Sequence, residues 1–363
     1  MISTLDRRQF VKTMALAGAG ITIGLPAGGQ AQNAGSVQPK IPVGLDNFSV
    51  RAMKWKAMEL IDYAARLKTD SLFITDFGPF ENFDDGYLKD IKAKAADKGL
   101  QIQLGSWSIC PTSKAFKKDW GTAEEHLALG IRMAKALGSP VFRVILGTGE
   151  DRKTDGGIEA RIADTVKVCK ACRSRAIDAG VKIAVENHAG DMQAWELVTL
   201  IEAAGKDYVG ANIDSGNAAW TFEDPMENLE ILGPYTLTTS LRDSAIWETP
   251  SGAVVQWTAM GEGTVDFKAY IKRFAELCPG VPVHIETISG FPREIAYFKR
   301  EFWNVWPKAR AKDLAKFVAL AKRGKPIAPH RSPDAQAEQA YQKGEIERSI
   351  KYCQEVLGLG LKG

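Results

Sequence analysis

Short apolar, β-branched runs alternate with longer segments of helical periodicity along most of the chain. The short runs predict strands at Ile41–Leu45, Ser71–Asp76, Gln101–Trp107, Val141–Leu146, Lys182–His188, Val209–Asp214, Leu237–Arg242 and Val281–Thr287. Apolar residues at helical spacing predict helices at Met53–Arg66, Leu88–Lys98, Thr122–Ala136, Ile158–Ala179, Ala194–Ala204, Met226–Leu232 and Phe267–Leu277. Strands that alternate with helices are typical of parallel sheets joined by crossover helices.

Eight such units predict an α/β fold of the (β/α)8 type, a TIM barrel, rather than a doubly wound sheet. No Gly-x-Gly-x-x-Gly motif follows an early strand, which argues against a dinucleotide-binding domain. We expect a linker over residues 32–40 and a single barrel domain over residues 41–363.

The connection after the eighth predicted strand is longer than the others. Loops of more than about 15 residues in compact domains usually belong to lids or binding elements. We therefore predict an extended loop after strand eight, a lid-like insertion over residues 291–330 with its own helix near 309–322. A helix over 335–357 would then close the barrel. The alternative is closure by the helix at 309–322, with the remaining chain as a surface appendage.

The first 31 residues have the features of a Tat export signal. Arg7 and Arg8 form a twin arginine, a mildly apolar run follows at Thr13–Leu25, and Gly29-Gln30-Ala31 resembles a cleavage site. The apolar run is shorter than the roughly 20 residues that span a bilayer. We expect a periplasmic or extracytoplasmic protein that has no membrane contact after cleavage, the alternative being an uncleaved anchor.

Composition and charge exclude several classes of protein. The chain is 45% hydrophobic and 25% charged, which is typical of a globular protein and not of a disordered or collagen-like one. Its net charge of +3 gives no reason to expect nucleic acid or anionic membrane as a partner. The five cysteines are too scattered for a disulfide scaffold, and Cys169 and Cys172 form an isolated CxxC inside a predicted helix. Buried thiols are the expectation.

Polar side chains occur on three predicted strands where alternation turns them toward the barrel interior. They are Glu186 and His188 on strand five, Asn212 and Asp214 on strand six, and His284 and Glu286 on strand eight. Catalytic groups of such barrels lie at the carboxyl ends of strands. Because buried carboxylates repel each other and lose hydration, we expect a divalent cation among the three acids. For each acid taken alone, a helix cap, a salt bridge or a turn is the alternative.

Four segments resemble the xylose isomerase-like barrel superfamily, and within it the sugar phosphate isomerase/epimerase family. They are Val185-Glu-Asn-His188, Asn212-Ile-Asp-Ser-Gly-Asn217, Gly261-Glu-Gly263 with Val265-Asp-Phe267, and Ile285-Glu-Thr287. The resemblance implies one divalent ion, Mn²⁺ first, with Mg²⁺, Co²⁺ or Zn²⁺ as alternatives. The implied ligands are Glu186, Asp214, Glu286 and a residue on strand seven.

Strand seven departs from the family pattern. The family has His-x-Lys-Asp there, whereas this chain has Ser240-Leu-Arg-Asp243. Since a serine hydroxyl is a poor ligand, we expect His284, or a water held by Ser240, to complete the metal site. The alternative is a weakened or absent metal site. The resemblance makes His188 a substrate contact, with a core histidine as the alternative.

The resemblance also implies proton-transfer chemistry on a carbohydrate. Glu186 and Glu286 are the expected acid/base pair of an isomerase or epimerase that works through an enediolate, with Asp214 as a ligand only. The candidate substrate contacts are His188, Arg242, Trp107, Asn217 and Glu262, although a surface-loop acid is an equal alternative for Glu262. Tryptophans suit the apolar faces of sugar rings, and five lie near the expected mouth or in the insertion: Trp107, Trp220, Trp247, Trp303 and Trp306.

Other functions remain open. One is a lyase or dehydratase that performs β-elimination on a 3-keto-glycoside or an inosose, and another is a non-catalytic sugar-binding barrel. An endonuclease of the same superfamily would need a three-metal site rich in histidine, and the chain has four histidines. We expect an unphosphorylated small-molecule substrate, because no glycine-rich phosphate loop follows strand seven. The oligomeric state is open, a homo-oligomer included.

Overall fold

The computed structural model describes residues 40–362, so the predicted export signal lies outside the described residues. Seven parallel strands follow one another in chain order: β1 Val43–Asp46, β2 Ser71–Ile74, β3 Gln101–Ser108, β4 Val141–Ile145, β5 Lys182–Glu186, β6 Val209–Ile213 and β7 Thr236–Thr239. A hairpin of β8 Asp243–Thr249 and β9 Gly252–Thr258 comes next, then β10 Val283–Ile285 and β11 Pro292–Ile295. β10 is the eighth parallel strand, and it pairs with β1. The predicted (β/α)8 barrel is confirmed.

The barrel closes between β7 and β10, just beyond the end of β7. Leu241 forms an isolated parallel bridge with Ile285. The Leu241 amide donates to the carbonyl of His284 at 2.8 Å, and the Glu286 amide donates to the carbonyl of Leu241 at 3.0 Å. This bridge brings the chain at Arg242 alongside Glu286.

Helices cover the barrel between successive strands. They are α1 Ala57–Arg66, α2 Asp85–Asp97, α3 Ala123–Leu137, α4 Gly157–Ala171, α5 Arg173–Ala179, α6 Ala194–Ala204, α7 Ser215–Trp220, α8 Pro225–Leu232, α9 Phe267–Leu277, α10 Ala311–Ala321 and α11 Ala335–Glu355. Short 3₁₀ helices lie at Asn47–Met53, Gly149–Lys153, Gly233–Tyr235 and Arg300–Val305. The helix predicted over 158–179 is interrupted at Cys172, which separates α4 from α5.

The main apolar core lies between the strands and their helices. α9 shows how the sequence specifies it, because its buried residues are spaced for one helical face: Phe267, Tyr270, Ile271 and Phe274. The Asp266 carboxylate caps this helix by accepting from the Ala269 amide at 3.0 Å. All five cysteines are buried free thiols, as expected.

A second apolar cluster lies over one side of the barrel mouth. The β8–β9 hairpin, which we did not predict, is extended by β11 into a three-stranded antiparallel sheet. Helix α10 packs on this sheet through Phe317 and Leu320. The loops after strands seven and eight therefore build this cluster together, whereas the sequence indicated an extended loop after strand eight alone.

The last helix, α11, packs against β1 and β10. Ile346, Ile350 and Cys353 enter the main core, and the Gln342 side chain accepts from the Ala52 amide at 2.9 Å. Within residues 40–362, no helix is long and apolar enough to cross a membrane.

Candidate active site

His284 lies inside the barrel, surrounded by hydroxyl groups. Its Nε2 is 2.9 Å from Ser71 Oγ, and its Nδ1 is 3.3 Å from Thr238 Oγ1. Burial lowers the pKa of His284 to about 3, so the imidazole is neutral. Glu286 shares the inward face but lies two residues, about 6.6 Å, further along the strand direction. The expectation that His284 completes a metal site is therefore corrected: both ring nitrogens contact hydroxyls below the acidic residues.

Glu186 ends β5 at the mouth of the barrel and is completely buried. Its Oε2 accepts from Arg143 Nε at 2.6 Å and from Asn212 Nδ2 at 2.8 Å, and its Oε1 accepts from Asn217 Nδ2 at 3.2 Å. Burial acts to raise the pKa of Glu186, but the charge of Arg143 and its hydrogen bond to the carboxylate outweigh burial, and the pKa is lowered. Glu186 is therefore an ionised carboxylate.

Arg143 is a site residue that the sequence interpretation missed. It lies in the middle of β4 between Phe142 and Val144, and its Nη1 donates to the carbonyl of Ser106 at 2.7 Å. The sequence does indicate that Arg143 faces inward, because a charged residue between two apolar ones points to the opposite face of the strand from theirs. In a barrel whose outer face is covered by helices, that face is the interior.

Arg242 lies between two of the three acids. Its Nη2 donates to Asp214 Oδ2 and to Glu286 Oε2. Its guanidinium stacks on Trp257, 4.3 Å from the ring centroid, and its side chain is 2% exposed. The side-chain hydroxyl of Ser215 accepts from the Arg242 amide at 3.1 Å and donates to the Arg242 carbonyl at 2.6 Å.

Asp214 and Glu286 are both buried beside this guanidinium. Asp214 caps α7 by accepting from the amide of Asn217 at 2.8 Å, and it also accepts from Asn217 Nδ2 at 2.7 Å. Burial raises the pKa of Asp214 to about 8 against the opposing charge of Arg242. Burial also raises the pKa of Glu286, with Arg242 opposing and Glu186 reinforcing the rise.

These residues do not fit a divalent ion. The three acids come together as predicted, but guanidinium and amide groups lie among them. The strand-seven Ser240 hydroxyl donates to Asp46 Oδ2 at 3.0 Å and contacts none of the three. A guanidinium has only donors, so it competes with a cation for the same oxygens. Across residues 40–362, no three Asp, Glu, His or Cys side chains form a group able to hold a metal ion.

A cavity of about 260 Å³ opens at this end of the barrel. Glu186, Glu286, Arg143 and Arg242 line it together with an aromatic wall of Trp107, Trp220, Trp257 and Phe291. Trp220 and Trp257 stack with their ring centroids 3.8 Å apart. Trp257 and Phe291 were absent from our expectations, because Trp257 lies on the unpredicted hairpin. The size of the cavity suits a small ligand.

His188 also lines the cavity, as does Asn217. The His188 Nδ1 is 2.6 Å from the carbonyl of Gly147, and since a carbonyl only accepts, Nδ1 carries the hydrogen. Burial lowers the pKa of His188 to about 4, which leaves Nε2 as an acceptor. The ring meets Trp107 edge-on, with centroids 5.4 Å apart.

Other residues singled out in the sequence lie elsewhere. Glu262 pairs with Arg348 at 2.6 Å, and its side chain is 47% exposed. Trp303 and Trp306 pack around Phe222 in the second apolar cluster. Trp247 lies on β8 and does not line the cavity.

Residues 50–318 match the sequence profile of the xylose isomerase-like TIM barrel family. The chain belongs to this family. A curated relative, 3-oxo-isoapionate decarboxylase from Pectobacterium atrosepticum, is 19% identical over 198 residues, 54% of this chain. The chain spans 64% of the length of that relative.

Solved structures share the fold at low identity. D-psicose 3-epimerase, crystallised in the presence of D-fructose, superposes with a TM-score of 0.58 and 14% identity, over 88% of this chain and all of its own. The IOLI protein with a binding zinc atom superposes with a TM-score of 0.52 and 14% identity, over 79% of this chain and all of its own. A probable 3-DHS dehydratase from Bacillus anthracis superposes with a TM-score of 0.52 and 11% identity, over 78% of this chain and all of its own. At these identities the likeness shows the fold alone.

Proposed function

We propose that this protein is an isomerase or epimerase that acts on a small, unphosphorylated carbohydrate with a carbonyl group, by moving a proton between carbon and carboxyl oxygen. One observation carries the proposal. Glu186 and Glu286, from the ends of β5 and β10, both line one small cavity with aromatic walls. Paired carboxyl groups provide the base and the acid that such a reaction needs.

The surroundings of the two glutamates suit different roles. Glu186 accepts from three side chains, and these contacts stabilise its carboxylate form. It would take a proton from the carbon next to the carbonyl, so that the C–H electrons form the double bond of an enediolate and the carbonyl oxygen becomes an oxyanion. Glu286, whose one side-chain hydrogen bond among residues 40–362 is with Arg242, would act as the acid and return a proton to carbon. Transfer to the neighbouring carbon isomerises the sugar, and transfer to the opposite face epimerises it.

Polar groups at the cavity match a polyol. Arg242 Nε and Nη1 are buried donors with no hydrogen-bond partner among the described residues. The His188 Nε2 is an acceptor, as its partner at Nδ1 requires. Donors and an acceptor together bind hydroxyl and carbonyl oxygens, while the Trp220–Trp257 pair covers the apolar face of a sugar ring.

A lyase is the second candidate. The curated relative is named a decarboxylase of a 3-oxo acid, and one solved relative is a probable dehydratase. A dehydratase eliminates water from the same anionic intermediate when a leaving group is adjacent to it, whereas a 3-oxo acid decarboxylase forms such an intermediate by losing carbon dioxide. The two candidates differ in one measurable property, because an isomerase or epimerase conserves the atoms of its substrate and a lyase does not.

Incubation with free keto-sugars in D₂O tests the proposal. We expect deuterium at the carbon next to the carbonyl by NMR, in a product of otherwise unchanged composition. Glu186→Gln and Glu286→Gln should each abolish the exchange while circular dichroism shows an intact fold. Glu262→Gln makes the same change on an exposed glutamate and should leave the exchange unchanged. Retained exchange in both site variants would contradict the assignment, and a product that has lost water or carbon dioxide would favour the lyase.

A further inference from the structure

Three buried acidic side chains meet at one barrel mouth, where negative charge on them requires a cation, and we propose that Arg242 is that cation. In the reaction proposed above, on which this inference rests, its guanidinium would polarise the substrate carbonyl and stabilise the oxyanion without a divalent ion. From the sequence, Arg242 was expected to be a substrate contact beside a metal. The structure gives it the central position instead, in contact with Asp214 and Glu286.

The charges at the mouth support this assignment. Glu186 pairs with Arg143 at 2.6 Å, while Asp214 and Glu286 share Arg242. Two guanidinium groups carry the same total charge as one divalent ion. Buried acids that are paired in this way no longer need a metal to offset their repulsion.

Three neighbouring residues position the side chain and backbone of Arg242. A Cβ at Gly216 would come within 2.6 Å of Arg242 Cδ and 2.8 Å of Trp257 Nε1, so the first turn of α7 has a glycine where the side chain passes. Trp257 is itself fixed, because its Nε1 donates to the Gly216 carbonyl at 3.0 Å. The Ser215 hydroxyl holds the backbone of Arg242 on both sides, while Gly216 and Trp257 pack against its side chain.

The guanidinium also has two donor atoms that form no hydrogen bond with the described residues. Its Nη2 is used by the two acids, whereas Nε and Nη1 have no partner among residues 40–362. Leaving such donors buried without a partner costs free energy, and a substrate oxygen that reached them from the cavity would recover it. An arginine stays charged at any working pH, and donors aimed at a developing oxyanion in a water-poor site stabilise it strongly. These are the properties that the proposed reaction needs from its cation.

Metal analysis of the wild-type protein tests the inference directly. After dialysis against a chelator, elemental analysis should find no retained divalent ion, and titration with Mn²⁺ should give no heat of binding at a single site. Deuterium exchange should be unaffected by the chelator. One tightly held equivalent of metal, or exchange that is lost on chelation and restored by Mn²⁺, would overturn the inference.

Variants at two positions give a second test. The double variant Ser240→His with Arg242→Ala removes the guanidinium and supplies an imidazole, so it should gain a Mn²⁺ site that calorimetry detects. Ser240→His alone should not bind Mn²⁺, because Arg242 still contacts Asp214 and Glu286. Mn²⁺ binding by Ser240→His that equals that of the double variant would contradict the role of Arg242.

A conservative change separates charge from hydrogen bonding. Arg242→Lys keeps the charge but loses the planar set of donors, so exchange should fall about 100-fold, as when an oxyanion-hole donor is lost. Arg273→Lys, which affects exposed pairs with Glu230 and Glu276, is the matched control and should exchange like wild type. Wild-type exchange by Arg242→Lys would also contradict the inference.

Failure of the inference and failure of the proposed function are distinguishable. Metal-dependent exchange would overturn the inference and leave the carbon-acid reaction standing. Metal-free protein that exchanges deuterium into no keto-sugar would overturn the proposed function. The calorimetry of the variants would still decide whether Arg242 occupies the position that a metal ion would take.

Discussion

The hydroxyl of Ser240, which directly follows β7, donates a hydrogen bond of 3.0 Å to the carboxylate of Asp46 at the end of β1. Ser240 is the only side chain among the described residues that donates to Asp46 Oδ2, since Thr75 and the Phe48 amide reach Oδ1. A residue that the family pattern places at a ligand position therefore has a structural partner of its own.

Ser240→Ala should destabilise the protein without altering its metal content. The change leaves Asp46 Oδ2 buried with no donor, which costs about 1–3 kcal/mol in the free energy of unfolding. Urea denaturation measures this cost. Ser244→Ala is the matched control, because the Ser244 hydroxyl is buried but has no partner among the described residues. Equal losses in the two variants would mean that the Asp46 contact contributes nothing.

Much of the fold was predictable because buried parallel strands leave a strong pattern. Runs such as Val141–Ile145 and Lys182–Glu186 are apolar on the face beneath the helices, so their positions and ends were nearly correct. The β8–β9 hairpin was missed because it lies within a connection of the barrel, where the alternating strand–helix pattern predicts no further strand. Its partner β11 is distant in sequence, and local patterns do not show such pairing.

The site was predictable in part for a related reason. Period-two alternation correctly brought Glu186, Asp214 and Glu286 to one mouth. It did not show which cation would neutralise them, since a long side chain such as that of Arg242 extends well beyond its own backbone position. His284 satisfied the same alternation as Glu286 but lies a layer deeper, because alternation fixes the face and not the height in the barrel.

The depth of His284 in the barrel depends on a glycine. A Cβ at Gly44 would overlap both the His284 ring and the Ser71 hydroxyl. We therefore expect Gly44→Ala to destabilise the protein by about 1–3 kcal/mol through overpacking, measured by urea denaturation.

Gly86→Ala is the control for that change. Gly86 lies in α2, and a Cβ added there would have nothing within 4 Å, so alanine should be neutral or stabilising at this position. A Gly44→Ala variant as stable as Gly86→Ala would show that the barrel interior relaxes around His284.

Arg152 anchors the segment after strand eight to the barrel. Its guanidinium donates to both oxygens of Glu196, at 2.7 and 2.9 Å, and its Nε donates to the Val305 carbonyl at 2.9 Å. It also stacks on Trp306, 3.6 Å from the ring centroid. Arg152→Lys should lose the bidentate pair and the stacking, with a cost of about 3 kcal/mol, because the pair is buried.

Limited proteolysis shows whether this contact holds the segment in place. We expect faster cleavage between residues 296 and 310 in Arg152→Lys than in wild type, together with the lower unfolding free energy. Arg132→Lys is the control, since its pair with Asp85 is exposed and contributes little. Unchanged cleavage in Arg152→Lys would assign the anchoring to the apolar cluster instead.

Glu223 should make stability fall as the pH rises. Burial raises the pKa of its carboxyl group to about 8, with Asp313 adding to the rise and the Ala194 amide, Asn228 and Thr221 opposing it. The folded state therefore holds a proton that the unfolded state releases near the ordinary pKa of 4.5. The stabilisation is complete below about pH 4.5 and is lost as the pH approaches 8, by about 1.4 kcal/mol for each pH unit between.

Glu223→Gln isolates this contribution, because glutamine resembles the protonated acid at every pH. Between about pH 5 and pH 8.5, wild type should lose stability in urea relative to Glu223→Gln. Glu202→Gln is the control: its pKa is lowered by the hydrogen bond from Tyr235, so the group is ionised in both folded and unfolded states across this range. Parallel pH profiles for wild type and Glu223→Gln would show that Glu223 is already ionised in the folded protein, with its three donors outweighing burial.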